Sequence, residues 1–254
     1  MLKAKQRAES AAAFERDARK MFFSKASVEW FLGSATPGQL AAACGLLARE
    51  LELREASKRA RLLRKAKFPA VKSMESFDFS DVAFPDGYTK DDLAGLAFVE
   101  HAQDFVFFGK TGRGKTHLAV AVGMKCVEAG REVRFFTTAA LVRQLTAASQ
   151  AGALDALLKD IRRADLVILD EFGYIPLDVD GARLLFQVIS ECYEARSMVL
   201  TTNIEFGKWG TVFADDKLAA AAIDRVVHHG RLVEFNGPSR RMDESLMLGK
   251  GKED

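Results

Sequence analysis

Residues 104–130 read DFVFFGKTGRGKTHLAVAVGMKCVEAG. The first six are aromatic and β-branched enough to predict a buried strand, and the last fourteen space their apolar residues as a helix does. Between them Gly109-Lys110-Thr111-Gly112-Arg113-Gly114-Lys115-Thr116 satisfies G-x-x-x-x-G-K-[ST], in the strand, loop, helix context that this pattern requires. Each residue type has a task. Gly109, Gly112 and Gly114 permit positive φ and close backbone approach, and the loop N–H groups at a helix N-terminus receive negative charge. Lys115 reaches the β and γ phosphates, and Thr116 holds Mg²⁺. At average composition such a string arises by chance in roughly one chain in a hundred of this size, and the context lowers that further. Residues 109–117, through His117, are therefore the expected cradle for ATP with Mg²⁺.

A phosphate loop needs acids at the end of another buried strand. LVILDE, residues 166–171, supplies four apolar residues and then Asp170 and Glu171. Asp170 would join Thr116 in holding the metal, and Glu171 would orient or deprotonate the attacking water. The runs DFVFFG, VRFFTT, ADLVILDE, SMVLTTN and RLVEFNG alternate with helix-length segments, which predicts an α/β fold: a mainly parallel sheet flanked by helices. The fourth run ends in Thr201-Thr202-Asn203, and Asn203 is the expected polar contact to the water or γ-phosphate at a strand's carboxyl end. Arg225, on the helix DKLAAAAIDRVVHH, and Arg240-Arg241 after the last strand are candidates to stabilise phosphoryl charge, including across a subunit interface.

Composition narrows the classes. The chain has 254 residues, 48% apolar and 28% charged, with three Cys and five Pro, which excludes collagenous, disulfide-stapled and wholly disordered proteins. No apolar run approaches the ~18 residues of a spanning helix, and the N-terminus is too charged for a signal peptide; the expectation is a cytoplasmic protein without membrane contact. Cys44, Cys126 and Cys192 lie far apart in helical patterns and are expected as buried thiols. His101, His117, His228 and His229 show no ligand or triad spacing. Trp30 and Trp209 are expected to pack in cores or cover clefts, Trp209 close enough after Asn203 to border the nucleotide.

The net charge of +2 conceals an asymmetry: residues 1–72 hold 16 Lys and Arg against 7 Asp and Glu, leaving an acidic remainder. Residues 36–68 read as one long helix with Pro37 near its start and Leu40, Cys44, Leu47 and Leu51 on an apolar stripe. Its second half places Arg54, Lys58, Arg61 and Lys65 on one face, with Arg59, Arg64 and Lys67 beside them. From residue 54 to 72 there are eight basic residues and one acid, Glu55, too few neighbours to pair them, so an external polyanion such as DNA is the expected partner. The expected organisation is 1–72 a basic helical DNA-binding region, 73–92 a connector, 93–241 the ATPase domain and 242–254 a flexible tail.

At these residues the chain resembles the IstB-type transposition helper ATPases, which stand with the DnaC-type helicase loaders in the AAA+ class. The resemblance is carried by LLARELELREASKRARLLRKAKFPAVKSMESFDFS, GRGKTHLA, LVILDEFGYIPLDVDGARLLFQVISECYE, TTNIEFGKWGTVFADDKLAAAAIDRVVHH and LVEFNGPSRR, roughly residues 46–241. It implies an ATPase that self-assembles on duplex DNA and delivers a target to a partner transposase. By position, Lys115 and Thr116 match the first nucleotide motif, Asp170 and Glu171 the second, Asn203 the first sensor, Arg225 the arginine finger that reaches a neighbour's ATP, and Arg241 (or Arg240) the second sensor. GKTGRGKT replaces the usual GPPGTGKT, Ser239-Arg240-Arg241 lacks the usual Tyr, and residues 1–39 follow the pattern poorly. The alternatives are a DnaC-like helicase loader on single strands and a nucleotide-binding scaffold without turnover.

Overall fold

The computed structural model describes residues 2–240. Contacts divide the chain into two compact units, residues 1–61 and 62–254.

The first unit is helical: α1 (Leu2–Lys20), α2 (Lys25–Ser34) and the larger part of α3 (Pro37–Ala66). Local chemistry sets the boundaries. Ser24 caps α2 by accepting from the Ser27 N–H. At α3, Thr36 and Gln39 cap each other: the Gln39 amide oxygen accepts from the Thr36 N–H at 2.8 Å, and Thr36 Oγ1 accepts from the Gln39 N–H at 3.3 Å. Pro37 then fills the first helical position, where a missing N–H costs nothing. Phe14, Ala18, Val28, Leu40 and Leu47 form the core of this unit, and Cys44 and Phe31 are half-buried against it. Two expectations need correction here. Cys44 is half-buried, its thiol donating to the Ser10 carbonyl. Trp30 is 72% exposed, because so small a core leaves the far side of α2 unpartnered.

The second unit is built on a six-stranded sheet: β1 (Val82–Ala83), β2 (Asp104–Gly109), β3 (Val133–Thr137), β4 (Leu166–Phe172), β5 (Ser197–Thr202) and β6 (Gly230–Phe235), in the order β1-β6-β2-β5-β4-β3. All pairings are parallel except the two-residue β1 against β6. The helices are α4 (Lys90–Gly95), α5 (Ala97–Glu100), α6 (Lys115–Glu128), α7 (Thr138–Gln150), α8 (Leu154–Arg162), α9 (Val179–Cys192), α10 (Trp209–Phe213) and α11 (Asp216–His228).

Strand alternation divides the side chains between two cores. Phe105, Phe107, Leu166, Ile168 and Val199 face α6, together with Leu62 and Ala66 at the end of α3. Val106, Val167, Leu169, Met198 and Leu200 face α7 to α11. Trp209, fully buried with Phe172 and Phe213, belongs to the second core. The chain leaves β2 for β3 at the far edge of the sheet and later returns β6 to its other side, so the carboxyl end of β2 opens between β5 and β6. Open α/β sheets hold ligands at such a switch point.

Candidate nucleotide site

Residues 110–114, with Gly109 at the end of β2, form the loop between β2 and α6. Its glycines are demanded by geometry. Gly112 has φ +83°, and a Cβ there would collide with the Ser239 hydroxyl; Gly109 has φ +154°, and a Cβ would strike the Phe235 carbonyl. The loop is also fastened from the carboxyl end of the chain, where the Arg240 N–H donates to the Gly112 carbonyl at 3.0 Å. Lys115 is buried and its ammonium donates to the Gly109 and Lys110 carbonyls at 2.6 and 2.9 Å.

The two acids close the site from β4. Asp170 is 4% exposed, and its Oδ1 accepts from both Thr116 Oγ1 at 2.8 Å and Thr201 Oγ1 at 2.5 Å. Thr138, the first residue of α7, donates to the Asp170 carbonyl. One residue on, the β4–β5 register breaks between Leu169 and Phe172, and Glu171 takes a left-handed φ of +56°. That bulge turns its carboxylate out into the cavity, while its N–H donates to Thr201 Oγ1 at 3.1 Å. Thr201 therefore braces both acids.

A cavity of about 370 Å³ lies over the loop, lined by residues 111–117, Glu171, Thr201, Tyr174 and Arg240 among others. Lys72, Arg113, Lys115 and Arg240 outnumber Glu171 on its wall, which suits a polyphosphate. The Arg113 guanidinium is already engaged with the Phe235 carbonyl at 2.9 Å, so its charge is near the cavity but turned toward β6. Lys110 is exposed and lies off the cavity wall. The Arg240 guanidinium donates to the Asp78 carbonyl at 2.6 Å and lies over the Phe77 ring. Arg241 falls outside the described residues.

Not every candidate reaches this place. Asn203 is exposed in a bend beyond β5, off the cavity wall, whereas Thr201 occupies it. Alternation carries the signal for Thr201, which shares a strand face with Val199, the face that meets α6. Arg225 is held away from the chain's own cavity, its guanidinium stacked 4.5 Å over the Phe186 ring. The seven cations expected to meet DNA are all exposed. Two of them have acid partners after all: Arg54 pairs with Glu50 at 2.7 Å and Lys65 with Glu132 at 2.8 Å. Glu50 stands just upstream of residues 54–72 and Glu132 immediately before β3, so neither belongs to that stretch.

The decisive comparison is with protein families. The family model described as IstB-like ATP binding protein matches residues 9–247. The chain belongs to the IstB-like ATP-binding family. The match begins at residue 9 and so takes in the N-terminal helices ahead of the motifs of residues 46–241. This IstB-like chain is 40% identical over 187 residues to the insertion sequence IS21 ATP-binding protein of Pseudomonas aeruginosa, covering 74% of this chain and 71% of that one. It is 35% identical to the insertion sequence IS5376 ATP-binding protein of Geobacillus stearothermophilus, covering 82% and 83%. Among solved structures, the DnaI structure superposes with a TM-score of 0.53 at 19% identity, over 67% of this chain and 90% of that one. A replication initiator DnaA bound to AMPPCP and single-stranded DNA gives 0.54 at 18% identity, over 74% and 58%. The IstB-like chain thus has the AAA+ P-loop fold, and it is an ATP-binding protein of the insertion-sequence kind. Among the described residues no helix is long and apolar enough to cross a membrane.

Proposed function

We propose that this protein hydrolyses ATP with Mg²⁺ to control its own assembly on duplex DNA in the service of a partner transposase. The observation that carries the chemical part is the convergence of Thr116 Oγ1 and Thr201 Oγ1 on one buried oxygen of Asp170, beside Glu171 and over the loop. The fit to the absent groups is good. The loop holds its shape because its glycines lack the Cβ atoms that would strike Phe235, Ser239 and Phe77, and a hydroxyl with an adjacent carboxylate is the hard-oxygen pair that Mg²⁺ prefers, with water and phosphate completing the shell.

Bound Mg²⁺ would supply charge neutralisation between the β and γ phosphates. Thr116 and Asp170 would hold it, the hydroxyl keeping its hydrogen bond to the carboxylate while offering a lone pair to the ion. Lys115 exchanges its loop carbonyls for phosphate oxygens. Glu171 takes the proton of the attacking water. Arg225, stacked away from its own cavity, acts on the nucleotide of a neighbouring subunit, which makes hydrolysis dependent on self-assembly. DNA is held through phosphate contacts by Lys58, Arg59, Arg61, Arg64 and Lys67, which have no ion-pair partner among the described residues, helped by Arg54 and Lys65; such contacts position the protein without reading sequence. The proposed organisation keeps a basic helical N-terminal region ahead of the ATPase domain, in the cytoplasm.

Steady-state ATP hydrolysis, alone, with duplex and with single-stranded DNA, and with Lys115→Ala as blank, tests this reading. Stimulation by duplex is expected. Preferential stimulation by single strands overturns it in favour of a helicase loader, and absence of turnover under all three conditions leaves a nucleotide-binding scaffold.

A further inference from the structure

Among the described residues, one group of three His, Cys, Asp or Glu side chains gathers its ligand atoms within 4.8 Å: Glu194, His228 and His229. Sequence spacing hid it, because Glu194 stands in the turn after α9 while the histidines end α11 some 35 residues later. His228 Nδ1 lies 3.0 Å from His229 Nε2, and His229 Nε2 lies 3.3 Å from Glu194 Oε1. A tetrahedral ion with bonds of about 2.0–2.1 Å to nitrogen and oxygen separates its ligands by about 3.3 Å along each edge. Two of the spacings, 3.0 and 3.3 Å, are close to that edge, and all three ligand atoms lie within 4.8 Å of one another.

Two-centre hydrogen bonds between neutral side chains do not account for the whole arrangement. The Tyr193 hydroxyl also lies 3.0 Å from His228 Nδ1, which makes three close approaches in a row, from Tyr193 through His228 and His229 to Glu194. A neutral imidazole offers one proton and one lone pair in its ring plane. If His228 Nδ1 accepts from Tyr193 it has no lone pair for His229, and if it donates to His229 then Nε2 faces the Glu194 carboxylate with no proton between them. No pair of neutral tautomers satisfies all three approaches. A cation accepting a lone pair from both nitrogens and the carboxylate draws His228, His229 and Glu194 together, and leaves the Tyr193 hydroxyl its hydrogen bond to Glu194.

We propose that Glu194, His228 and His229 form a binding site for a divalent transition-metal ion of the Zn²⁺ class, one water completing the shell. Two imidazoles and one carboxylate favour a borderline ion over Mg²⁺ or Ca²⁺, which take oxygen shells. Glu194 is held for this role in a left-handed conformation, φ +56°, inside a turn closed by the Ala195 and Arg196 N–H groups on the Cys192 carbonyl. Tyr193 positions the rings, its own ring 6.1 and 5.7 Å from the two imidazoles. The filled site fastens the end of α11, one turn beyond Arg225, to the turn that follows α9.

The test is Zn²⁺ titration of tag-free, chelator-treated full-length protein by calorimetry, with Co²⁺ absorbance reporting coordination number. One Zn²⁺ per chain with a dissociation constant on the order of 1 μM or tighter, and the intense visible bands of four-coordinate Co²⁺, are expected. Both signals should vanish in His228→Ala and in His229→Ala, survive in His101→Ala, and weaken about tenfold in Tyr193→Phe. The ligands are at the surface, so circular dichroism of each variant should match the parent. No saturable binding up to about 100 μM, or binding that persists in both histidine variants, overturns the proposal.

Discussion

Asp170 and Thr201 are joined by one hydrogen bond of 2.5 Å, the threonine Oγ1 donating to the carboxylate Oδ1. The same hydroxyl accepts the Glu171 N–H, so a single uncharged side chain on β5 orients both acids of β4. Thr201→Val removes that brace while keeping the shape. A buried carboxylate losing one of two donors costs about 1–3 kcal/mol, and misplacement of both acids should lower ATP turnover about tenfold or more. Asn203→Ala should change turnover by less than about twofold, as 1.4 kcal/mol is needed for a factor of ten. Melting temperature and steady-state hydrolysis of the two variants decide whether Thr201 or Asn203 is the polar contact on this strand.

The phosphate loop is packed against the chain's own carboxyl-terminal segment. Gly112→Ala places a methyl group against Ser239 at a φ of +83° and should abolish ATP binding, read with a fluorescent ATP analogue. Adding Ser239→Gly relieves the collision but not the backbone strain of about 1–2 kcal/mol, so binding should return only in part. Full binding by the single variant would show that the loop yields without cost.

Arg225 is expected to act on another subunit. Arg225→Ala should leave ATP binding within about twofold and reduce hydrolysis about 10³-fold. Mixing it with Lys115→Ala protein should restore measurable turnover, because each variant supplies what the other lacks. Loss of ATP affinity in Arg225→Ala alone would place the residue in its own cavity instead.

Asp104 makes a pH prediction. It is 2% exposed at the start of β2, where its carboxylate accepts the Met198 N–H at 2.7 Å, and burial pushes its carboxyl up to about 7 from an ordinary 3.8. Between those values the folded protein holds a proton that the unfolded chain has released, so stability falls as pH rises from about 4 to about 7 and is level above. Asp104→Asn keeps an acceptor for Met198 without a charge. Its melting temperature should exceed the parent's at pH 8, by an amount on the order of 2–4 kcal/mol in stability, and the gap should close toward pH 5. A gap independent of pH would mean that Asp104 is ionised in the fold throughout.

The exposed cations make the last. Replacing Lys58, Arg59 and Arg61 by Ala should weaken duplex binding and reduce the slope of log affinity against log salt by about 2–3. Arg54→Ala, which removes a cation already paired with Glu50, should change that slope by less than one. Equal slopes for parent and triple variant would remove these residues from the DNA contact.

Much of the sheet was legible because its five long strands are runs of aromatic and β-branched residues, and the loop because its three glycines, lysine and threonine are consecutive. What escaped lay in tertiary placement. β1 is two residues long and has no pattern to detect. Ser239 and Phe77 touch the loop from more than thirty residues away in either direction. The Lys65–Glu132 pair spans 67 residues, which no count of neighbouring charges can include. Asn203 is conspicuous as an amide after a strand and matches the sensor position of the resemblance, whereas Thr201, which lines the cavity, is an ordinary β-branched strand residue.

Glu171 is a non-glycine residue in left-handed backbone, a conformation that costs about 1–2 kcal/mol. If Glu171 serves turnover as proposed, heat resistance and activity pull this codon in opposite directions. A library selected only for survival at high temperature should enrich glycine at 171, giving a sturdier protein with an idle ATPase, while passage through repeated rounds of transposition should return glutamate.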